Sequence, residues 1–204
     1  MRVYKKLFTE IIDPENLFLA WDEFKRGKRH KRDVINFEKN LEQHIFTLHR
    51  SLLNKTYRHG PYADFYIYDP KLRHIYKAIV CDRVLHHAIF QILSPIFEST
   101  FIPTSFSCRI GKGTHNGVLT VEDMLRKVSR NYTRSCYTLK CDVCKFFDTI
   151  SHSILLSILE KRIKDTDAMS LLREIIGSYE ASTRDTRERE RERERVLHCA
   201  LGYQ

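Results

Sequence analysis

Three features are scarce in this sequence: long apolar runs, acidic residues and regularly spaced cysteines. No apolar run approaches the roughly 20 residues needed to cross a bilayer, and the basic N-terminus lacks a signal-peptide core. We therefore expect a cytoplasmic protein without a membrane partner. The cysteines show no disulfide spacing, so we expect reduced thiols that pack as small hydrophobes. They are Cys81, Cys108, Cys136, Cys141, Cys144 and Cys199.

The shortage of acidic residues is the first clue to function. The chain has 35 Lys and Arg but only 26 Asp and Glu, which leaves a formal net charge of +9 on 204 residues. Such a surplus favours a polyanionic partner such as nucleic acid, although it would also simply aid solubility. The length allows one large domain or two small ones, with enough apolar residues for a core.

Much of this surplus lies in one short segment near the N-terminus. The stretch FKRGKRHKRD is predicted to be a cationic hinge, and either a phosphate contact or a solvated loop would explain it. Its basic residues are Lys25, Arg26, Lys28, Arg29, Lys31 and Arg32. From Val34 to Leu52 apolar residues recur every three or four positions, which predicts one amphipathic helix.

The centre of the chain is predicted to form a hairpin and then two helices. Aromatic and β-branched residues indicate strands at 62–68 and 73–79, joined by an Asp-Pro-Lys turn at 69–71. Asp82 is placed to cap the next helix, and a basic, glycine-rich loop precedes a second amphipathic helix. Glycines would let this loop approach a phosphate closely. The loop contains Arg109, Gly111, Lys112 and Gly113.

The stretch CDVCKFFDTI admits three interpretations. Alternation over 137–143 predicts a strand with Asp142 on the face opposite Leu139. A thiol pair of Cys141 and Cys144 would need a second pair to bind zinc, or a helix start for redox chemistry. An ordinary buried strand leaves the Asp142 carboxylate without a partner. A divalent metal would supply that partner, as in the two-Mg²⁺ chemistry of polynucleotide synthesis.

The same stretch resembles motif A of the reverse transcriptases of bacterial retroelements, K-x-D-(I/V)-x-x-F-F-D-x-I. Upstream, PKLRHI, CDRVLHHA, PIFESTF and SFSCRIGKG resemble the finger motifs of that family in the right order, and WDEFKRGKR with FEKNLEQHI resembles its N-terminal extension. About residues 15–180 are covered. The overall type is that of diversity-generating retroelement and group II intron-like enzymes. Within it, the HHA and GKGTH variants resemble diversity-generating retroelement enzymes and their close relatives more than retron or group II intron proteins.

The resemblance implies a fold and a set of site residues. The fold is α+β, the fingers and partial palm of a right-hand polymerase, helix-rich with a small antiparallel sheet. Asp142 would be the catalytic metal ligand, with the Val143 carbonyl as a further oxygen, for one of the two Mg²⁺ ions that the complete enzyme uses. Arg73, assisted by Lys71, would grip the nucleotide triphosphate. Phe147 would exclude a ribose 2′-hydroxyl.

The remaining roles concern the template. Arg109 would lie near the nucleotide, and the other basic and glycine residues would contact the template or its phosphates, namely Gly111, Lys112, Gly113, Lys25, Arg26, Lys28 and Arg29. The implied partners are an RNA template, a DNA or RNA primer and deoxynucleoside triphosphates; the sequence identifies no protein partner. We expect structural roles for Asp82 as a cap, Arg83 in a salt bridge and Asp148 in a turn. His86 and His87 are expected to be a packed or surface pair and not ligands.

The sequence departs from this family after motif A. A complete reverse transcriptase also carries a Tyr-x-Asp-Asp hairpin, whereas this sequence passes from GSYEAST into RERERERER. Because one carboxylate cannot hold two Mg²⁺ ions, we expect an N-terminal fragment that is inactive alone. The alternative is a non-catalytic RNA-binding module that uses the basic fingers.

Four regions are therefore predicted along the chain. They are a helical N-terminal extension at 1–60, the fingers at 61–135, the start of the palm at 136–180, and an Arg/Glu tail at 181–204 that is disordered or out of frame.

Overall fold

The computed structural model of the chain describes residues 2–143 and 146–179, with the side chains of 147 and 148 excepted. Cys144 and the predicted Arg/Glu tail lie outside the described residues. The chain divides into two compact units. Of the described residues, 2–93 and 151–179 belong to the first unit, and 94–143 and 146–150 belong to the second unit. The predicted boundaries after residues 60, 135 and 180 stay predictions.

Helices dominate both units. In chain order they are α1 (Leu7–Ile12), α2 (Pro14–Lys25), α3 (Arg32–Glu38), α4 (Leu41–Leu53), α5 (Val80–Glu98), α6 (Gly113–Val128), α7 (Phe146–Thr149), α8 (His152–Glu160) and α9 (166–179). Two antiparallel strands, β1 (Ala63–Tyr68) and β2 (Leu72–Lys77), form a sheet. This confirms a helix-rich α+β fold with a small antiparallel sheet. No described helix is both long and apolar enough to span a bilayer.

Helix α2 supplies the two largest fully buried side chains of the first unit, Trp21 and Phe24. Pro14 occupies its first position, where a missing N–H costs nothing, and the Asp13 carboxylate accepts a hydrogen bond from the Glu15 amide at 2.8 Å. Although Leu19 is 53% exposed, four other apolar side chains of α2 fall on one face and are almost completely buried. They are Leu17, Ala20, Trp21 and Phe24.

The helix predicted from Val34 to Leu52 is in fact two helices, so that prediction was wrong in part. A turn at residues 39–40 separates α3 from α4, and Asn40 has the non-helical φ of −127°. The Phe37 ring stacks on His44 across the turn at 4.6 Å and contacts Trp21 at 5.1 Å. Both helices still bury one apolar face, Val34 and Phe37 in α3 and Ile45, Leu48 and Leu52 in α4, so periodicity alone could not reveal the break.

The predicted hairpin is confirmed to within two residues at its ends. Ala63 pairs with Lys77 at the base of the hairpin, and Tyr68 pairs with Leu72 next to the turn. Within the turn the Asp69 amide donates to the Lys71 carbonyl at 3.2 Å. All six residues of β1 are exposed, so this sheet rests on pairing and on one partly covered strand rather than on a buried face.

Asp82 does not cap α5 as predicted. The helix begins two residues earlier, at Val80, and the Asp82 carboxylate is buried with 2% exposure. It accepts hydrogen bonds from the Tyr57 hydroxyl and from the Gly60 amide, each at 2.9 Å. A Cβ at Gly60 would come within 2.8 Å of the Ile79 side chain. Asp82 therefore fixes the segment that leads from α4 into β1.

Two predicted structural roles next to Asp82 are confirmed. Arg83 donates to Asp33 at 2.7 Å, which is the expected salt bridge. The His86 ring stacks on the buried His59 ring at 5.3 Å, and His87 packs edge-on against Phe24 at 5.7 Å. Burial, with the neighbouring His59 next, lowers the pKa of His86 to about 4, so this side chain is neutral at pH 7.

The two later helices of the first unit begin at side chains that cap them. The Ser151 hydroxyl accepts from the Ile154 amide at 3.4 Å at the start of α8, as expected of a cap. At the start of α9, one Asp165 oxygen accepts from the Ala168 amide at 3.0 Å, and the other accepts from the Phe8 amide at 2.9 Å. Asp165 therefore holds the beginnings of α9 and α1 together.

The strand predicted at 137–143 is not formed. These residues have no regular secondary structure, and Tyr137 and Leu139 are 97% and 87% exposed. A strand is stabilised by pairing with a neighbour, and no described segment of the second unit pairs with this one. Asp142 is consequently exposed, not interior. Cys108 and Cys141 are also exposed, so the expectation of packed thiols was wrong for these two.

Candidate nucleotide and RNA contact sites

The hairpin presents two cations to solvent. Arg73 lies on β2 opposite Ile67, on the strand face that also carries Phe65 and Lys77. Arg73 and Lys71 are exposed, and among the described residues their side chains make no hydrogen bond or ion pair. An arginine fork and an ammonium on a paired strand and its turn suit a polyphosphate. Both residues predicted to bind the triphosphate are thus exposed on the hairpin, and their role stays a prediction.

The opposite face of the hairpin is filled by aromatic rings, a feature that the sequence prediction missed. The Tyr66 and His74 rings stack at 4.3 Å, and His74 contacts the Tyr76 ring at 4.5 Å. Tyr76 in turn meets Tyr179 of α9 at 5.8 Å, and Tyr179 meets Tyr62 at 6.0 Å. The period-2 alternation of aromatic residues was the available signal. These rings connect the hairpin to α9 within the first unit.

Arg109 is engaged within its own loop in the second unit. Its Nε and one terminal nitrogen donate to Glu98 at 2.9 and 2.7 Å, and the other terminal nitrogen donates to the carbonyls of Ile102 and Ser105. The guanidinium also lies 5.3 Å from the centre of the Phe101 ring. Four of its five N–H groups can be used in this way. A role at the nucleotide stays a prediction, whereas a structural role in the loop is visible.

The glycines of the same loop have backbone conformations that other residues seldom adopt. Gly111 and Gly113 have φ of +71° and +78°, and no atom lies within 4 Å of where their Cβ atoms would be. Lys112 between them donates to the Pro103 carbonyl at 3.1 Å. The glycines therefore allow the turn into α6. Among the described residues nothing fills the space beside them, so the predicted contact with a template is sterically possible.

The cationic hinge is only partly free. Lys25 pairs with Asp22 at 2.7 Å, and Arg26 pairs with Glu23 at 2.8 Å. Lys28 donates to the Phe24 carbonyl at 2.7 Å. Arg29 is exposed and, among the described residues, has no hydrogen-bond or ion-pair partner. Of the four residues of the cationic hinge that are predicted to contact phosphate, Arg29 is therefore the one whose charge has no described partner.

The predicted metal ligand lies in the second unit. Asp142 and Val143 are exposed, and Phe147 belongs to α7 but its side chain, like that of Asp148, lies outside the described residues. Within 2–143 and 146–179, no three His, Cys, Asp or Glu side chains converge so as to hold a metal ion. One exposed carboxylate does not match the ligand set of a two-Mg²⁺ site, so the described residues do not fit that pair of ions by themselves.

Comparison with known proteins connects these features to a family. No family model matches the chain. Protein YkfC of Escherichia coli K12 is 30% identical over 127 residues, which are 61% of this chain and 33% of YkfC. Nuclear intron maturase 2 of Arabidopsis thaliana is 23% identical over 185 residues, 79% of this chain and 24% of the maturase. The group II intron-encoded protein LtrA of Lactococcus lactis is 22% identical over 176 residues, 83% of this chain and 28% of LtrA.

The maturases and LtrA decide the assignment. The chain is similar to two nuclear intron maturases and to a group II intron-encoded protein. The resemblance to retroelement reverse transcriptases is thereby confirmed, at low identity. The finer similarity to diversity-generating retroelement enzymes stays a prediction. The chain spans a third or less of the length of these three relatives. Template, primer and activity therefore belong to a proposal.

Proposed function

We propose that this chain contributes the nucleotide- and template-binding part of a retroelement reverse transcriptase, an RNA-directed DNA polymerase. The observation that carries the proposal is the hairpin, which presents Lys71 and Arg73 without partners among the described residues. Both charges lie where the family motif P-K-x-R-x-I calls for them. Because neither charge is buried, each cation is available to an incoming deoxynucleoside triphosphate.

We assign different roles to the two exposed cations of the hairpin. Arg73 can bind two phosphate oxygens with its fork, while Lys71 adds a flexible point charge at the turn. Asp142, with the Val143 carbonyl, remains our choice for the first metal-ligand position, and Phe147 for the contact with the sugar. Since a single carboxylate does not complete a two-ion site, we expect this polypeptide alone to bind nucleotide without extending a primer.

Nucleotide binding by the hairpin can be measured directly. Titration of the protein with deoxythymidine triphosphate in a calorimeter should give an affinity that Arg73→Gln weakens about 10- to 100-fold, because a charge-assisted hydrogen bond contributes about 1.5–3 kcal/mol. Arg26→Gln is the matched control, since Arg26 is exposed but already paired with Glu23. Equal affinities of the wild-type and Arg73→Gln proteins would reject the hairpin as the triphosphate site.

The second candidate is an RNA-binding module without catalysis, which the cationic hinge favours. Arg29, Lys31 and Arg32 are all exposed. Among the described residues none of their side chains has a hydrogen-bond or ion-pair partner. Each phosphate contact to a single strand contributes about 0.7 to the salt slope, so replacing all three by Gln should lower the slope by about 2. The double variant Lys25→Gln/Arg26→Gln, which removes paired cations, should change it less. RNA binding that is insensitive to salt would exclude this candidate.

A further inference from the structure

Three basic side chains surround one buried ring at the end of α2. The Lys28 ammonium nitrogen lies 4.6 Å from the centre of the Phe24 ring, and the Arg83 guanidinium carbon lies 4.8 Å from it. The His87 ring meets the same ring edge-on at 5.7 Å. Phe24 is 1% exposed, whereas the three basic residues are half-buried at its margin. Arg83 and His87 stand one helical turn apart on α5, so the arrangement is held by two elements.

Positive charge in this cluster exceeds the negative charge that faces it. A single Asp33 oxygen accepts both from Arg83, at 2.7 Å, and from the Lys77 ammonium, at 2.6 Å. Lys28 has no carboxylate partner within the described part of the chain and donates to the Phe24 carbonyl. The Arg83 Nε is buried without an acceptor among the described residues. One carboxylate thus pairs with two cations while Lys28 is left without one, so the local field would stabilise an anion.

Burial and neighbouring positive charge both disfavour the charged forms of Lys28 and His87. Burial, followed by the neighbouring charges of Arg83 and Lys31, lowers the pKa of the Lys28 ammonium. Burial and then Lys28 lower the pKa of His87, against a smaller opposing effect of Glu23. An anion seated among these groups would relieve both penalties.

We propose that Lys28, Arg83 and His87 form an oxyanion site that takes one phosphate group of a polynucleotide backbone. Lys28 keeps two N–H groups beyond its bond to the Phe24 carbonyl, and cation–π contact holds its charge beside that of Arg83. The free cations Arg29 and Lys31 lie next along the hinge and would contact adjoining phosphates. The choice of a polynucleotide rests on the proposed function, whereas the oxyanion chemistry does not.

Inorganic phosphate tests the site itself. At constant ionic strength, replacing chloride by phosphate should raise the melting temperature and move the pKa of His87, followed by nuclear magnetic resonance, upward towards its ordinary value. Lys28→Gln should lose both responses, and Lys28→Arg should retain them. Lys55→Gln is the matched control, because Lys55 is an exposed cation of the same unit that pairs with Asp167. A Lys28→Gln protein that responds like the wild type would overturn the proposal.

A short single-stranded RNA tests the source of the phosphate. RNA that moves the pKa of His87 in the wild type but not in Lys28→Gln supports a polynucleotide site. If inorganic phosphate binds and RNA leaves His87 unchanged, the polynucleotide assignment is overturned, while nucleotide binding by the hairpin is judged separately through Arg73→Gln. If neither ligand moves His87, the oxyanion site is rejected outright.

Discussion

The two units bury their apolar side chains to very different extents. In the first unit Leu17, Trp21 and Phe24 are at most 1% exposed, and α2, α4, α5 and α9 all contribute buried side chains, although α8 contributes none. Among the described residues of the second unit only Ile96 and Ser129 are buried. Its longest complete helix, α6, has no buried residue at all, although its sequence is strongly amphipathic. An amphipathic pattern therefore predicts which face of a helix is apolar, whereas burial also requires a second element to cover that face.

The second unit, which buries few apolar side chains, is instead held locally by polar contacts. In the second unit Arg109 and Lys112 tie the loop after α5 to nearby carbonyls and to Glu98. Such contacts orient a loop, but each contributes little net free energy compared with a buried side chain. We expect the stability of the chain to lie in the first unit, and the following variants test that comparison.

The largest contrast should come from one substitution made in both units. Leu17→Ala empties a site with 0% exposure and should cost about 3 kcal/mol of unfolding free energy. Leu119→Ala in α6, where the side chain is 48% exposed, should cost less than about 1 kcal/mol. Urea unfolding followed by circular dichroism and by the fluorescence of the single tryptophan, Trp21, measures both. Equal costs would contradict the view that the second unit lacks a core of its own.

The next effect concerns the buried carboxylate of the first unit. Asp82→Asn replaces an acceptor by an amide whose N–H groups would face the Tyr57 hydroxyl or the Gly60 amide. Leaving a buried group unsatisfied costs about 1–3 kcal/mol, so we expect a loss of about 2 kcal/mol in urea unfolding. The control Asp167→Asn removes an exposed ion pair with Lys55 and should cost about 0.5 kcal/mol. A similar loss in both variants would show that Asp82 does not hold the 57–60 segment.

These two regions also show how far sequence reasoning reached. The hairpin and the starts of α8 and α9 were predictable because their signals are local: strand alternation, a turn, and capping side chains. The break at 39–40 and the irregular 137–143 segment were not, because packing around Phe37 and the availability of a neighbouring strand decide them. Asp82 has the residue type of a cap, yet its partners lie more than twenty residues away, at Tyr57 and Gly60.

The candidate sites also differ in how much of each could be predicted from the sequence. Motif spacing identified Lys71 and Arg73, and the structure leaves both side chains exposed. Motif spacing could not tell that Arg26 has an acidic partner on its own helix or that Arg109 is used by its own loop. The cluster around Phe24 is assembled by α2, the hinge and α5, which no local pattern predicts.

A smaller effect is expected from residues in the left-handed region. The second unit has three in succession after α6, and the last of them, Tyr132, has a φ of +66° with 62% of its side chain exposed. Tyr132→Gly should stabilise this turn by about 1 kcal/mol, because only glycine adopts that conformation freely. In the first unit Lys55→Gly, at a φ of +57°, should gain about half as much, since it also loses the pair with Asp167. Thermal unfolding compares them, and destabilisation by Tyr132→Gly would contradict the assigned strain.

The smallest effect should be confined to the loop of the second unit and should depend on pH. The hydrogen bonds from Arg109 hold the pKa of the Glu98 carboxyl below its usual value of 4.5. Because the folded-state pKa is lowered, the bridge contributes fully above the ordinary pKa of glutamate and is lost as the pH falls through the lower, folded value. Amide exchange of residues 99–112, corrected for intrinsic rates, should therefore be constant near neutral pH and should rise in acid. Glu98→Gln should remove that dependence while leaving the protection of α2 unchanged, and a pH-independent wild-type loop would show that Arg109 does not hold it.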